Sequence, residues 1–275
     1  MDQLVEIKSK IQINPSRVGK KYFVKTFGCQ MNEHDSERIS GMFELDGMSK
    51  AISEEYADVL FVNTCTIREN ADDKLYGTLG QLKQWKSQKD NRKLLVGGCA
   101  AQKDKELVRE KAPWVDVVIG THNLTNVVDL LNRSEDWGPL TEIIDEIETL
   151  PTEAPSIRES EYSAWVTIQI GCNNSCTFCI VPSVRGQEIS RRPSDIVNEA
   201  KKLVDEGVKE ITLLGQNVNS YGRDLKIDGK ARPYFSQLLE QLNDIKGLER
   251  IRFTSPHPKD SVSYTHLTLP TTVRV

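Results

Sequence analysis

The sequence has no long hydrophobic run and no sign of a secretory leader. Its longest apolar runs, such as VDVVIG at 115–120, are far too short to cross a bilayer. The first ten residues, MDQLVEIKSK, are mixed and charged and contain no apolar h-region. These absences predict a cytoplasmic protein without a membrane partner. Thiols stay reduced in that compartment, so the six cysteines favour metal or redox chemistry over disulfides.

A basic excess is absent as well. The chain has 36 Lys and Arg against 40 Asp and Glu, which gives a net charge of −4 and a pI of about 5.7. Nucleic-acid-binding proteins usually carry a basic excess, so composition alone does not indicate an RNA partner. Apolar residues make up 38% and charged residues 28% of the 275 residues. These values are typical of a globular chain long enough for one large domain or two ordinary ones.

Short β-rich runs alternate with helix-like segments in the first half of the chain. The runs are KYFVKTFG at 21–28, DVLFVNT at 58–64, KLLVGG at 93–98 and VDVVIG at 115–120. Alternation of strand and helix is typical of a parallel α/β sheet. We therefore predict a Rossmann- or flavodoxin-like domain over residues 1–132.

The remainder of the chain divides into three predicted segments. Residues 133–161 are acidic and proline-containing, which predicts a linker with one short helix. Residues 162–260 predict an incomplete (β/α) barrel, with strands at 164–170, 209–215 and 248–255 and helices at 191–207 and 234–247. Residues 261–275 have no helical period. We expect them to be a non-native tail on a barrel that naturally continues; a real, irregular C-terminus is the alternative.

Three of the six cysteines are grouped in the segment GCNNSCTFCIVP at 171–182. Their spacing is C-x3-C-x2-C, directly after a predicted strand, and the carboxyl ends of strands are where α/β folds bind cofactors. Cys172, Cys176 and Cys179 can hold three irons of a [4Fe–4S] cluster, which normally takes four cysteines. No fourth cysteine is near, so one iron stays open. An open iron can accept the amino and carboxylate groups of S-adenosylmethionine.

A structural zinc knuckle and three inert, buried cysteines are the alternatives for this segment. Structural zinc sites need a fourth ligand, and no histidine is near. Three thiols this close together are also hard to explain as packing. We therefore predict a cluster with an open iron.

The other three cysteines each follow a predicted parallel strand. Cys29 follows KYFVKTFG, Cys65 follows DVLFVNT and Cys99 follows KLLVGG. A single cysteine of this kind is more often a small buried hydrophobe than a ligand. The carboxyl ends of parallel strands share one edge, however, so neighbouring strands would bring the three thiols together. We predict a second [4Fe–4S] cluster there, with three protein ligands and one open iron. Gly28, Gly97 and Gly98 would leave room for backbone beside it.

The cysteine pattern resembles the radical S-adenosylmethionine superfamily, including the aromatic Phe178 before the last cysteine, which packs near the cofactor in that superfamily. With the three N-terminal cysteines, the chain is similar to the methylthiotransferase family from about Tyr22 to Asp260. The resemblance implies an N-terminal α/β domain, a radical barrel and a C-terminal RNA-binding TRAM domain. It also implies two [4Fe–4S] clusters and S-adenosylmethionine. The barrel is short here and the TRAM domain is absent from the sequence.

Three motifs resemble the MiaB branch, the tRNA 2-methylthio-N(6)-dimethylallyladenosine synthases. They are FGCQMNEHDSER at 27–38, GCNNSCTFCIVPSVRG at 171–186 and LLGQNVNSYG at 213–222. The resemblance implies methylthiolation of an isopentenylated adenosine next to the anticodon of tRNA. It leaves the sulfur donor and the reductant unidentified, and we expect a monomer. A methylthiotransferase for a ribosomal protein or for threonylcarbamoyl-adenosine tRNA, and an inactive cluster-binding fragment, are the alternatives.

Several polar residues beside these motifs have two possible roles. The arginines near the second motif can contact tRNA phosphate or the cofactor carboxylate, or they can be solvated at a helix start. The residues after Cys29 can donate to cluster sulfides or cap the next helix. Those after the strand 209–215 can contact substrate or form a polar turn. The three groups are Arg185, Arg191 and Arg192; Gln30 and Asn32; and Gln216, Asn217 and Asn219.

Overall fold

The computed structural model describes residues 13–66, 71–146, 155–226 and 232–260. These residues form two compact units. The first unit contains the described residues before 147, with 155–157 and 175–185, and the second contains 158–174 and the described residues from 186 onward. None of the described helices is both long enough and apolar enough to span a membrane.

The first unit is built on a six-stranded sheet in which every pairing is parallel. Its strands are β1 Lys21–Thr26, β2 Ser49–Lys50, β3 Val59–Thr64, β4 Lys93–Gly98, β5 Val117–Ile119 and β6 Leu140–Glu142. They lie in the order β2-β1-β3-β4-β5-β6. This is flavodoxin-like winding, whose direction reverses between β1 and β3. The predicted parallel α/β domain is confirmed.

Helices cover both faces of this sheet. They are α1 Gln30–Leu45, α2 Ala71–Ser87, α3 Cys99–Asp104, α4 Leu107–Lys111, α5 Val127–Trp137 and α6 Val181–Arg185. All six residues of β3 are buried. Leu60 and Val62 pack with the apolar side of α2, while Val59 and Phe61 pack with α1 and α5. Successive residues of a strand face opposite sides, so a continuous apolar run such as β3 requires cover on both.

The predicted linker at 133–161 is wrong at its start. Residues 133–137 are the last turn and a half of α5, and β6 adds Leu140–Glu142 to the edge of the sheet beside β5. This strand was not predicted because the segment is acidic. An edge strand is only half-buried and tolerates polar residues, so it need not show an apolar run. The first unit therefore extends well beyond the predicted boundary at 132.

The second unit contains a three-stranded parallel sheet in the order β11-β10-β7. Its strands and helices are β7 Ser163–Thr167, β8 Gln169–Ile170, β9 Ile189–Ser190, α7 Pro193–Asp205, β10 Glu210–Leu214, α8 Phe235–Asn243 and β11 Arg250–Phe253. Helix α7 begins at Pro193 and buries Ile196, Ala200 and Leu203, as its apolar period predicted.

The predicted strand at 164–170 is divided at Ile168. The Ile168 N–H still donates to the Leu214 carbonyl of the parallel sheet, but its own carbonyl accepts from Arg191 N–H. Beyond it, β8 pairs antiparallel with β9. A run of hydrophobic residues cannot reveal such an exchange of partners. Residues 261–275, which we predicted to be a non-native tail, lie outside the described residues.

Candidate functional site

The three N-terminal cysteines follow three neighbouring strands of the first sheet. Cys65 and Cys99 come directly after β3 and β4, and Cys29 lies three residues beyond β1. In doubly wound sheets, ligands bind at the carboxyl edge where the strand order reverses, here between β1 and β3. Cys29 is half-buried, and Cys65 and Cys99 are buried. β1, β3 and β4 are neighbours in the sheet, which is the condition that the second predicted cluster required, so the three cysteines follow the same sheet edge.

A buried pair of asparagines joins the segments that carry Cys29 and Cys65. The Cys29 N–H donates to Asn32 Oδ1 at 3.4 Å, and Asn32 Nδ2 donates to Asn63 Oδ1 at 3.0 Å and to the Thr64 carbonyl at 3.1 Å. Asn63 Nδ2 returns a hydrogen bond to the Asn32 carbonyl at 2.7 Å. Asn32 therefore serves as a helix cap and a cross-link. Asn63 lies outside the three sequence motifs, so it could not be recognised as a site residue from the sequence alone.

Gly98 allows the ends of β3 and β4 to approach closely just before Cys99. Its φ is +92°, and a Cβ there would lie 2.5 Å from the Thr64 carbonyl oxygen. The Thr64 hydroxyl donates to the Gly97 carbonyl at 2.7 Å, which fixes the approach. The predicted room for backbone is therefore present at Gly98. At the other two glycines the Cβ position is filled by side chains, Asn32 beside Gly28 and Phe61 beside Gly97.

Arg185 brings a buried positive charge to the same edge. It is the last residue of α6, it is 4% exposed, and its Nη2 lies 2.9 Å from Asp35 Oδ2 of α1. Burial raises the pKa of the Cys99 thiol, while the charge of Arg185 and its hydrogen bond to Cys99 partly offset that rise. Burial alone would lower the pKa of Arg185, but Cys99, Asp35 and Cys29 raise it, in that order. The guanidinium therefore stays charged.

His122 lies in the loop after β5, near this charged group. It is 8% exposed, and among the described residues its Nδ1 has no hydrogen-bond partner. Burial and then the charge of Arg185 lower the pKa of His122, and Asp145 and Asp35 oppose them. The imidazole is therefore held neutral. Neither His122 nor Asp35 could be selected from the sequence, because neither has a partner close by in the chain.

The first unit fits a cluster better than a single ion. Over the described ranges, no three Cys, His, Asp or Glu side chains form a group that could hold one metal ion. A four-iron cluster is larger than an ion, and thiolates are its usual ligands. Three thiols after neighbouring strands, two of them buried, match that donor set. The nearby guanidinium suits an anionic group.

The start of the second cysteine segment is fixed within the second unit. Gly171 has a φ of +72°, and a Cβ there would lie 1.9 Å from the Gln187 carbonyl oxygen. The Cys172 N–H donates to the Gly186 carbonyl at 3.2 Å, and Asn173 Oδ1 accepts from Glu188 N–H at 3.0 Å. Only glycine permits this close backbone contact, which explains why it precedes the half-buried Cys172.

Cys176 and Cys179 lie in a turn closed by a hydrogen bond from Cys179 N–H to the Cys176 carbonyl, at 3.1 Å. Both thiols are exposed, and Phe178 between them is 97% exposed. Exposed thiols are available to soft metal centres. The predicted packing of Phe178 near a cofactor stays a prediction.

The arginines after this segment do not share one role. Arg191 is 3% exposed; it donates to the Thr167 carbonyl at 2.8 Å and lies 2.6 Å from Glu199 Oε2. Arg185 is also buried and paired, so neither arginine is solvated as one alternative held. Arg192 alone of the three is exposed, at the start of α7. It is the one of the three placed to meet a phosphate.

The polar residues after β10 also divide. Asn217 is 1% exposed; it donates to Asp260 Oδ2 at 2.6 Å and accepts from His257 N–H at 3.2 Å. Asn217 and the buried Asn219 therefore support the loop. Gln216 is half-buried, and its Oε1 has no hydrogen-bond partner among the described residues. Gln216 is the member of this group with an unused acceptor.

Two family profiles match this chain. Residues 21–120 match "Uncharacterized protein family UPF0004", and residues 166–266 match the radical SAM superfamily. The first match covers the strands that carry the N-terminal cysteines, and the second covers the C-x3-C-x2-C segment.

Curated relatives are similar over most of the chain. The tRNA-2-methylthio-N(6)-dimethylallyladenosine synthase of Corynebacterium efficiens is 53% identical over 248 residues, which are 89% of this chain and 47% of the relative. The protein with the same name from Tropheryma whipplei is 56% identical over 238 residues, 86% of this chain and 50% of the relative. The chain thus spans about half the length of these relatives.

Solved structures with a similar fold include TsrM from Kitasatospora setae, a radical S-adenosylmethionine methyltransferase. With cobalamin and a [4Fe–4S] cluster bound, it aligns at a TM-score of 0.52 and 11% identity, over 88% of this chain and 56% of that one. Its complex with tryptophan and a SAM analogue gives a TM-score of 0.53. At this identity the likeness concerns the fold.

Proposed function

We propose that this chain is part of a radical S-adenosylmethionine methylthiotransferase of the MiaB type and that the protein methylthiolates tRNA. It would convert N(6)-dimethylallyladenosine next to the anticodon to 2-methylthio-N(6)-dimethylallyladenosine. The observation that carries the proposal is the placement of Cys29, Cys65 and Cys99 after three neighbouring strands, in a chain that also has the C-x3-C-x2-C segment. The name of the relatives supports the substrate.

Two [4Fe–4S] clusters and S-adenosylmethionine are the cofactors of this proposal. Cys29, Cys65 and Cys99 would hold one cluster, and Cys172, Cys176 and Cys179 the other. The second cluster, with S-adenosylmethionine, supplies the radical chemistry that an unactivated ring C–H requires. Phe178 would lie beside that cofactor, as the resemblance implies.

The chain's own residues hold the thiols in place and keep water away. Cys65 and Cys99 are 5% and 1% exposed, so the first site is largely closed to solvent. Asn32, Asn63 and Thr64 tie its three segments together, which limits how far the thiols can move. Preorganised ligands avoid the cost of reordering when a cofactor binds.

The partners in this proposal are tRNA, an unidentified sulfur donor and an unidentified reductant. The net charge of −4 means that tRNA contact cannot depend on a globally basic surface. Local cations such as the exposed Arg192 would contribute single phosphate contacts. We place the protein in the cytoplasm as a monomer.

Iron and sulfide analysis after anaerobic reconstitution tests the two-cluster basis. The wild type should hold about eight irons, and the Cys29→Ala, Cys65→Ala, Cys99→Ala triple variant about four. About four irons in both proteins would make the N-terminal cysteines packing residues. It would also remove the first cluster, which in this proposal would hold the sulfur to be delivered.

Nucleoside mass spectrometry of tRNA tests the substrate. A strain without this gene should lose the 2-methylthio-isopentenyl nucleoside and accumulate its isopentenyl precursor. An unchanged nucleoside profile would redirect the proposal to a ribosomal protein or to threonylcarbamoyl-adenosine.

A further inference from the structure

Arg185 belongs to the segment that follows the second cysteine group, yet it lies among the residues of the first. It comes six positions after Cys179 and packs within the first unit. Helix α6 contacts α3, the helix that begins at Cys99. The Thr121 hydroxyl donates to the Val184 carbonyl at 2.7 Å and fixes the end of α6 beside the loop after β5.

The surroundings of Arg185 contain one carboxylate, Asp35, and two thiols that would become thiolates on binding iron. Asp35 lies 2.9 Å away, and Cys99 and Cys29 both act on the guanidinium. A buried charge without a partner is strongly unfavourable, so Arg185 and Asp35 must be considered together. A guanidinium has five N–H donors in a planar fork. It can therefore serve Asp35 and Cys99 and still donate to an anion.

A cluster on Cys29, Cys65 and Cys99 would bring an anion that needs such a donor. Three thiolates around an oxidised four-iron core leave a net negative charge, and an anionic sulfur ligand on the open iron adds another. Anions in a closed site need fixed donors, and guanidinium is suited to them because it remains charged when buried. Arg185 already acts on the buried Cys99 thiol through its charge and a hydrogen bond.

We propose that Arg185 is a positioning residue that holds an anionic sulfur ligand, hydrosulfide or a persulfide, on the cluster of the first unit. Asp35 orients the guanidinium by accepting from Nη2. The inference rests on the proposed function, since it requires a cluster at these cysteines. It assigns Arg185, which follows the C-x3-C-x2-C segment in the chain, to the site that would supply sulfur.

Hydrosulfide titration of a one-cluster protein tests the inference. The parent is the full chain with Cys172, Cys176 and Cys179 replaced by alanine, reconstituted to about four irons. Sodium hydrosulfide is added to the reduced protein, and the EPR spectrum of the cluster is followed. Arg185→Gln should weaken hydrosulfide binding by roughly tenfold or more, because a charge-assisted hydrogen bond is lost. It should also lower the cluster's reduction potential.

Arg250→Gln is the matched control, because Arg250 is 62% exposed on β11. It should leave both the affinity and the potential unchanged. Equal hydrosulfide affinity in the parent and Arg185→Gln, at equal iron content, would overturn the inference. If Arg185→Gln fails to load iron, Arg185→Lys decides. It keeps the charge without the fork, so weakened binding supports the inference and unchanged binding overturns it.

Failure of the proposed function looks different in the same experiment. A parent protein without iron would show that the first unit holds no cluster, and the two-cluster function would fall together with the role of Arg185. Iron in the parent with no effect of Arg185→Gln would leave the proposed function standing and remove only the inference.

Discussion

Asn32 and Asn63 hydrogen-bond each other in both directions across the carboxyl edge of the first sheet. The Asn32 side chain donates to Asn63 Oδ1 at 3.0 Å, and the Asn63 side chain donates to the Asn32 carbonyl at 2.7 Å. Both residues are fully buried. The pair thus joins the first turn of α1, which follows Cys29, to the end of β3, which precedes Cys65.

Replacement of Asn63 by alanine should destabilise the first unit and loosen the cysteine site. Loss of the side chain removes its bond to the Asn32 carbonyl and one to the Ser36 hydroxyl, and it leaves buried groups unpaired. We expect a loss of about 1–3 kcal/mol in the free energy of unfolding. Urea unfolding measures this, and iron per chain should fall in the reconstituted variant.

Asn91→Ala is the control for this prediction, since Asn91 is exposed in the turn after α2. It should change neither stability nor iron content. Equal unfolding midpoints for Asn63→Ala and Asn91→Ala would show that the buried pair contributes nothing measurable.

Asp46 should make stability depend on pH in an unusual direction. Its carboxylate is buried 3.3 Å from Arg17 Nε, and burial raises the pKa of Asp46 to about 6, although Arg17 opposes this. The folded pKa lies above the ordinary value of 3.8. The contribution of Asp46 is therefore fully present below about pH 4 and lost as the pH rises through about 6.

Asp46→Asn should then be as stable as the wild type below about pH 4 and more stable at pH 7.5. A shift of this size corresponds to at most about 3 kcal/mol. Urea unfolding from about pH 4 to about pH 8 measures the difference between the two proteins. Asp136→Asn, on the exposed side of α5, should show no such trend. A difference that shrinks with rising pH would contradict the assigned burial effect.

The alternation of apolar runs was sufficient to predict β1, β3, β4 and β5 of the first sheet, because parallel strands covered on both faces are largely apolar. β2 escaped because it has two residues and both are exposed. β6 escaped because an edge strand is half-buried and does not need that composition. The division of the strand at Ile168 escaped because it depends on Arg191 and Leu214, which lie far away in the sequence.

The cysteines of the candidate site were predictable because each ends an apolar run, so the fold class alone brings them to one edge. Its other members were not. Asp35 and Arg185 pair across 150 positions, and Asn63 sits inside an apolar run that gives it no distinguishing pattern. Long-range polar pairs of this kind carry no local signal. They depend on which surfaces meet after folding.

Arg191 and Arg192 should respond differently to the same substitution. Arg191→Gln removes a buried cation that binds Glu199 and the Thr167 carbonyl, so it should lower the free energy of unfolding by about 2 kcal/mol. Arg192→Gln removes an exposed charge and should leave thermal stability unchanged. If Arg192 meets a phosphate, its variant should bind tRNA more weakly. The slope of the logarithm of the binding constant against the logarithm of the salt concentration should also fall by about one. Equal melting temperatures for both variants would contradict the structural role of Arg191.

Gly171→Ala should disrupt the segment of Cys172, Cys176 and Cys179 more than the cost of a positive φ for alanine would explain. A Cβ at Gly171 would clash with the Gln187 carbonyl at 1.9 Å. Gly207 has a similar positive φ, +101°, and open space around its Cβ position. Gly207→Ala therefore reports the cost of the angle, about 1–2 kcal/mol, without a clash.

The comparison is made in chains that lack Cys29, Cys65 and Cys99, so that iron reports only on Cys172, Cys176 and Cys179. Gly207→Ala should retain about four irons, whereas Gly171→Ala should lose most of them, because the clash displaces the backbone that positions Cys172. Equal iron in the two variants would mean that the contact between Gly171 and Gln187 is not needed for the cluster. Cys172 would then bind iron from a segment free to rearrange, and the close backbone contact would serve folding alone.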